Sequence, residues 1–266
     1  MFSFGCSGTF GTWATASDFI GASFDEYYNL GRGGACNEFI MNRMIEANNK
    51  YNFNSETDFV MISITNIGRF SVMDNDGGWR THGDLALYTL EDNLPGEPSK
   101  PLYKELKSFV DTLWNYQWLV YRTWIAVKTM KAVLESKNVK HKFVMALDNL
   151  SYLKTPDLYN LSSKSKELIR EIYDIVDIKE SFGEFMVVGP GRKTVVYQDG
   201  TSDGHPTQTE HFEYACKHFP DMITDKSREL YDFCERNFDW SSIKTQPQNF
   251  EKDMTLHYPH MKRHLP

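Results

Sequence analysis

The apolar residues of this chain arrive in short blocks separated by polar and glycine-rich turns, and two periods can be read from them. The clearest block is Phe59-Val60-Met61-Ile62-Ser63-Ile64, a nearly continuous apolar run that suits a strand buried on both faces of a parallel sheet. It ends at Thr65-Asn66. Met1 to Phe4, Tyr27-Tyr28-Asn29-Leu30 and Phe143-Val144-Met145-Ala146-Leu147 read as three further strands, and a weaker one is expected at Phe185-Met186-Val187-Val188. Helical spacing fills the intervals. Trp13 to Ser23 predicts a short helix, and from Ala35 to Lys50 the residues Phe39, Ile40, Met44, Ile45 and Ala47 form an amphipathic stripe. Pro101 to Lys137 reads as helical throughout, with a broad aromatic face that includes Trp114, Trp118, Tyr121 and Trp124. Ser162 to Val176 and Asp225 to Phe238 read as helices. A third follows Thr207, which stands where a capping residue belongs, with Glu210 three positions on.

Strands that alternate with helices imply right-handed crossovers, a parallel sheet and helices on both of its faces. The expected fold class is therefore α/β, a three-layer α/β/α sandwich with a flavodoxin-like parallel sheet. Two segments stand outside the alternation. Ser71 to Lys100 is irregular and rich in Asp, Gly and Pro, so the loop and the long helix after it read as an insertion at about 71–137. Residues 241–266 are polar and poor in aliphatics, and are expected to form an extended surface tail on a single domain spanning 1–240.

Composition narrows the class of function. The chain has 266 residues, of which 41% are hydrophobic, enough for one large core. A formal charge of -7 offers no overall basic field, which argues against nucleic acid as a partner and against a polybasic membrane anchor. Cys6, Cys36, Cys216 and Cys234 lack CxxC spacing and read as reduced thiols rather than a disulfide framework or a metal site. With neither a signal-peptide pattern nor a long apolar run, the expected location is cytoplasmic, which leaves incorporation into a larger particle open. Nothing in the sequence sets an oligomeric state.

The chemistry concentrates where strands end. Gly5-Cys6-Ser7-Gly8-Thr9-Phe10-Gly11 follows the first strand and sets a hydroxyl among glycines, at the edge of an open sheet where ligands bind. Serine needs a base, a group that orients the base, and donors for a developing oxyanion. His205 is the candidate base and Asp203 its orienting partner, while Gly34 and Asn66 stand at the two neighbouring strand ends as oxyanion donors. Cys6 is a weaker nucleophile candidate, because adjacent strand residues face opposite ways and a buried structural thiol accounts for it. His257, His260 and His264 share a helical spacing that Pro259 interrupts, so they read as a solvated tail. Arg69, Trp79 and Arg80 are candidate substrate contacts in the loop region beyond Asn66.

In this order the segments resemble the SGNH or GDSL hydrolases, serine esterases and lipases on a flavodoxin-like fold. Gly5-Cys6-Ser7 matches the family's first block with its nucleophile, and Asn29 to Asn37 matches the second, with Gly34 in the oxyanion position. Thr65-Asn66 matches the third, and Asp203 with His205-Pro206 the last. The resemblance spans residues 5 to about 219 and implies hydrolysis of a carboxylic ester through an acyl-enzyme on Ser7, with no metal or organic cofactor. The implied oxyanion hole is the Ser7 backbone N–H with Gly34 and Asn66. The substrate would be a small-molecule, glycan or lipid ester. An O-acetylated glycan is favoured because no apolar membrane-docking helix is evident.

The sequence departs from the family at several places. Cys6 replaces an aspartate, Ile64 and Ile67 replace a glycine and an aspartate, and Asp203 lies two residues before His205 where three is usual, with Ser202 in that place. Asp199, or a backbone carbonyl, is the alternative orienting group. These departures motivate a second reading, a catalytically inactive carbohydrate-binding or structural protein on the same fold. A flavodoxin-like nucleotide or flavin binder is the third.

Overall fold

The computed structural model describes residues 1–6, 9, 14–73, 79–84, 104, 107–110, 112, 114–185, 194–196, 202–238 and 247–263, and gives the backbone alone at 72–73, 79–84, 194–196, 202–204 and 247–251. Strand β1 (Phe2–Phe4) leads to helix α1 (Ala16–Gly21), β2 (Tyr27–Asn29), α2 (Asn37–Tyr51) and β3 (Phe59–Ile64). A hairpin of β4 (Arg69–Met73) and β5 (Trp79–Asp84) precedes α3 (Tyr116–Ser136). Then come β6 (Lys140–Met145), a short α4 (Ser151–Lys154) and α5 (Ser163–Ile175). A second hairpin, β7 (Thr194–Val196) with β8 (Ser202–Pro206), enters α6 (Gln208–His218), followed by α7 (Asp225–Asn237), α8 (Pro247–His257) and β9 (Met261–Lys262).

The main sheet runs β6-β3-β1-β2-β9 and every pairing in it is parallel. Helices α2, α3 and α5 pack together as one layer, and α1, α6 and α7 as the other. This is the flavodoxin-like three-layer α/β/α sandwich. All six residues of β3 are buried, as a strand covered on both faces requires. Phe4, Phe19, Tyr27, Phe143 and Ile62 fill the layers between sheet and helices.

Four expectations are corrected. Phe185 does not begin a strand, because Ser181 and Glu184 form a reciprocal cap. The Ser181 hydroxyl oxygen accepts the Glu184 N–H at 3.1 Å, the Glu184 carboxylate accepts the Ser181 N–H at 3.1 Å, and residues 182–185 turn helically. The place beyond β6 is held by a single parallel bridge from Val144 to Ile178, while residues 186–188 lie outside the described residues. The segment 101–137 is not one helix either. Asn115 is extended and its side-chain oxygen accepts the N–H groups of Gln117 and Trp118, so α3 starts afresh after it.

The polar run before Thr207 is a strand paired with residues 194–196, and the Thr207 hydroxyl donates to the Glu210 side chain without capping a backbone N–H. Finally, the expected tail is structured. Pro259 ends α8 and feeds β9, which pairs with β2 through Tyr27↔Met261 and Tyr28↔Lys262, anchored by buried Met254 and Met261.

Candidate functional site

In this strand order the loops after β2, β1 and β3 leave the sheet side by side. The Arg32 N–H donates to the Gly5 carbonyl at 3.0 Å, which ties the β2 loop to the end of β1. At Gly5 the chain folds back so tightly that a Cβ would sit 2.0 Å from Thr9 Oγ1 and 2.8 Å from Ser63 Cβ. Only glycine fits there. The Thr9 N–H closes the turn on the Cys6 carbonyl at 2.9 Å, and Cys6 itself is buried. Ser7 lies outside the described residues, but both of its described flanks are held.

What holds the downstream flank is a buried polar cluster that the sequence reading missed. The Thr9 carbonyl accepts Asn29 Nδ2 and Thr15 Oγ1, each at 2.7 Å. Asp18, fully buried, accepts the Thr15 N–H at 2.8 Å and Asn29 Nδ2 at 3.0 Å, and lies 3.0 Å from the Thr15 hydroxyl, whose single proton it shares with the Thr9 carbonyl. Its charge is met by Arg263 at 3.5 Å, from the residue that follows β9. A carboxylate buried this deeply needs such a partner.

The third loop is clamped by two buried asparagines. Asn37, the first residue of α2, accepts the Thr65 N–H at 2.9 Å and donates to the Thr65 carbonyl at 3.0 Å. Asn149, just beyond β6, accepts the Ile67 N–H at 2.9 Å and donates to the same carbonyl at 3.0 Å. Asn66 sits between these clamps. Its Oδ1 accepts the Gly68 N–H and the Tyr152 hydroxyl, both at 2.6 Å. Because both partners donate, the oxygen of the amide is identified and the NH2 end must point the other way. Among the described residues that NH2 meets no acceptor.

Gly34 has φ of 72°, a left-handed conformation that suits glycine, in a turn closed by the Ala35 N–H on the Arg32 carbonyl at 3.2 Å. Its own N–H makes no hydrogen bond among the described residues.

His205 is half-buried on β8, with the backbone of Asp203 on the same strand; the Asp203 side chain and Asp199 lie outside the described residues. Close to His205 is a second imidazole, His211 on α6, with no exposed surface. His211 Nδ1 accepts the N–H of Ala16, at the start of α1, at 3.2 Å. The ring must therefore carry its proton on Nε2, and protonating Nδ1 would cost the Ala16 bond. Burial, and behind it the neighbouring charge of His205, push His211 down to about 3. This contact ties the helix that follows His205 to the helix that follows the Ser7 loop.

Arg69 is half-buried three residues beyond Asn66, and its N–H donates to the Asn66 carbonyl at 3.2 Å. Its Nε and Nη1 are buried and make no hydrogen bond among the described residues. Trp79 and Arg80 lie on β5, opposite Met73 and Val72, with their side chains outside the described residues. Among the described residues no group of three or more His, Cys, Asp or Glu side chains could hold a metal ion, and no helix is long and apolar enough to cross a membrane. Cys6, Cys36, Cys216 and Cys234 are free thiols.

A scan against models of known protein families finds none that matches this chain, and a search of curated proteins finds no match either. The functional reading therefore rests on the residues themselves.

Proposed function

We propose that this protein hydrolyses a carboxylic ester by the serine chemistry of the SGNH-type hydrolases that its sequence resembles. Ser7 Oγ attacks the acyl carbon while His205 takes its proton, and His205 then gives that proton to the departing alcohol. Water, deprotonated by the same base, attacks the acyl-enzyme, releases the acid and restores Ser7. Asp203 orients His205, with Asp199 as the alternative. Gly34, Asn66 and the Ser7 N–H receive the negative charge of each tetrahedral intermediate. Arg69, Trp79 and Arg80 contact the substrate, for which an O-acetyl group on a glycan is the favoured chemistry.

The observation that carries the reading is the amide of Asn66. Its oxygen is tied down by Gly68 and Tyr152 and its neighbours by Asn37 and Asn149, so its NH2, without an acceptor among the described residues, is a donor held in place before any substrate arrives. Preorganised donors of this kind stabilise a transition state without reorganising during the reaction. The adjacent parallel β2, β1 and β3 set that donor at the same edge as the loop that contains Ser7.

Fluorophosphonate labelling tests the proposal. One adduct on Ser7, found by peptide mapping and absent from Ser7→Ala and His205→Ala, is the expected result. A folded protein without that adduct would overturn it in favour of a non-catalytic glycan binder on the same fold, the reading that buried Cys6, in place of an acidic residue, favours.

A further inference from the structure

Beside Asn66 a cleft opens between the start of α2, the start of β4 and the middle of α3, lined by Cys36, Glu38, Ile67, Arg69, Arg122 and Thr123 among others. It is a shallow, open indentation with a cavity volume of about 10 Å³, room for a single water or one oxygen of a ligand. Its charges do not balance. Arg122 is committed, because it pairs with Glu38 and its guanidinium lies 4.3 Å from the ring centre of Trp118 and 5.3 Å from that of Phe70. Burial lowers the Arg122 pKa, which marks this wall of the cleft as poorly hydrated.

Glu38 is the acidic residue in the lining, and Arg122 uses it. Arg69 is then left with Nε and Nη1 buried and, among the described residues, no acceptor for either. In a chain of formal charge -7, a desolvated and unmatched guanidinium is a local inversion of sign. A guanidinium keeps its proton, and no described side chain of the cleft complements this one.

We propose that this cleft binds an oxyanion carried by the substrate, a carboxylate or a sulfate, on Arg69. The inference rests on the ester-hydrolase reading for the word substrate, but the anion site itself does not depend on it. Arg69 follows Asn66 by three residues and its N–H holds the Asn66 carbonyl, so one short loop carries both the anion site and the proposed oxyanion donor. The substrate class is thereby an ester of an acidic molecule, such as an acetylated sugar that also bears a carboxylate or a sulfate.

The test uses ligands that cannot be hydrolysed. Benzoate, benzenesulfonate and the neutral isostere benzamide are titrated into the full chain at low chloride, read by the Arg69 Nε–H resonance, which is assigned by its loss in Arg69→Gln. At least one anion is expected to bind about tenfold or more tightly than benzamide, since charge-assisted bonds to a guanidinium are the stronger kind. Which of the two wins distinguishes a carboxylate from a sulfate.

In Arg69→Gln the preference should fall to within about twofold, Arg69→Lys should keep part of it, and Glu38→Gln should strengthen it by removing the competing carboxylate. Equal binding of all three ligands to the wild-type protein, or a preference unchanged in folded Arg69→Gln, would overturn the site. Fluorophosphonate labelling of Ser7 is scored separately on the same samples. An anion preference without an adduct removes the hydrolase and keeps the site, whereas an adduct without the preference does the reverse.

Discussion

The buried His211 makes stability depend on pH in a way that can be worked out beforehand. In the unfolded chain its imidazole titrates near 6.5, and in the folded protein burial and the neighbouring His205 lower that to about 3. The folded state therefore refuses a proton that the unfolded state accepts. Its contribution is complete above the unfolded value and is lost as pH falls from about 6.5 towards 3, with a slope approaching about 1.4 kcal/mol per pH unit. Between about pH 7 and pH 5 the loss comes to about 2 kcal/mol, a large share of an ordinary domain's stability.

The comparison protein is His211→Asn, whose Oδ1 can replace Nδ1 as acceptor for Ala16 while nothing at the position titrates. Urea unfolding followed by circular dichroism at several pH values gives the two profiles. Asparagine leaves space where a ring was, so His211→Asn starts lower at neutral pH, and the informative quantity is the slope. All other titrating groups are common to both proteins. A wild-type curve that falls about 2 kcal/mol further than the variant over those two pH units is expected. Parallel curves would refute the argument, and with it the assignment of the Ala16 N–H to Nδ1.

Other substitutions test the supports of the site. Asn149→Ala leaves the Ile67 N–H and one donor to the Thr65 carbonyl missing, and should cost about 2–4 kcal/mol in urea unfolding together with a slower reaction of Ser7 with fluorophosphonate. Tyr152→Phe removes a single hydroxyl from Asn66 Oδ1. It should cost about 1 kcal/mol or less while still slowing that labelling, which separates positioning from folding. Asp18→Asn strips the counter-charge from Arg263 and should destabilise by about 3–5 kcal/mol, whereas Asp18→Asn with Arg263→Met should recover part of the loss. Gly5→Ala drives a methyl group into Thr9 and should cost about 3 kcal/mol, seen as a lowered midpoint or as loss of soluble protein.

The parts of the fold legible in sequence were those whose pattern has one explanation. Phe59 to Ile64 could only be a strand covered on both sides, and the stripe through Phe39, Ile40 and Met44 could only be a helix laid on a sheet. Elements set by a single side-chain bond were not. Asn115 interrupts an apolar, aromatic stretch whose period runs on through it, and Ser181 with Glu184 turns residues 182–185 helically, so that Phe185 does not open the strand expected there. Strand β9 has two residues, too few to show any period, and is defined by its partner β2.

At the site the same divide appears. Strand ends marked Gly34 and Asn66 in the sequence, and among the described residues neither the Gly34 N–H nor the Asn66 NH2 meets an acceptor. Asn37, Asn149 and Tyr152 carried no signal, because a polar residue at the start of a helix or in a loop reads as a surface group until the loop it clamps is known. The hint was position: Asn37 stands three residues after Gly34 and Asn149 four residues after the end of a buried strand.

Strand β9 also dictates an order of events during synthesis. The strand that covers the outer edge of β2 is made more than 230 residues after it, as the 234-residue separation of the Tyr28–Lys262 contact records. While those residues are being made β2 is an open edge, with backbone donors and acceptors able to pair with another chain. Asp18 meanwhile waits for its cation, because Arg263 follows β9 directly. The nascent chain can thus assemble β1, β2 and β3 well before the cluster around Thr9 is electrically complete. A ribosome stalled between α7 and β9 would therefore hold a nearly finished sheet that is both adhesive at β2 and unsettled at the Ser7 loop, the state in which a chaperone would have most to do.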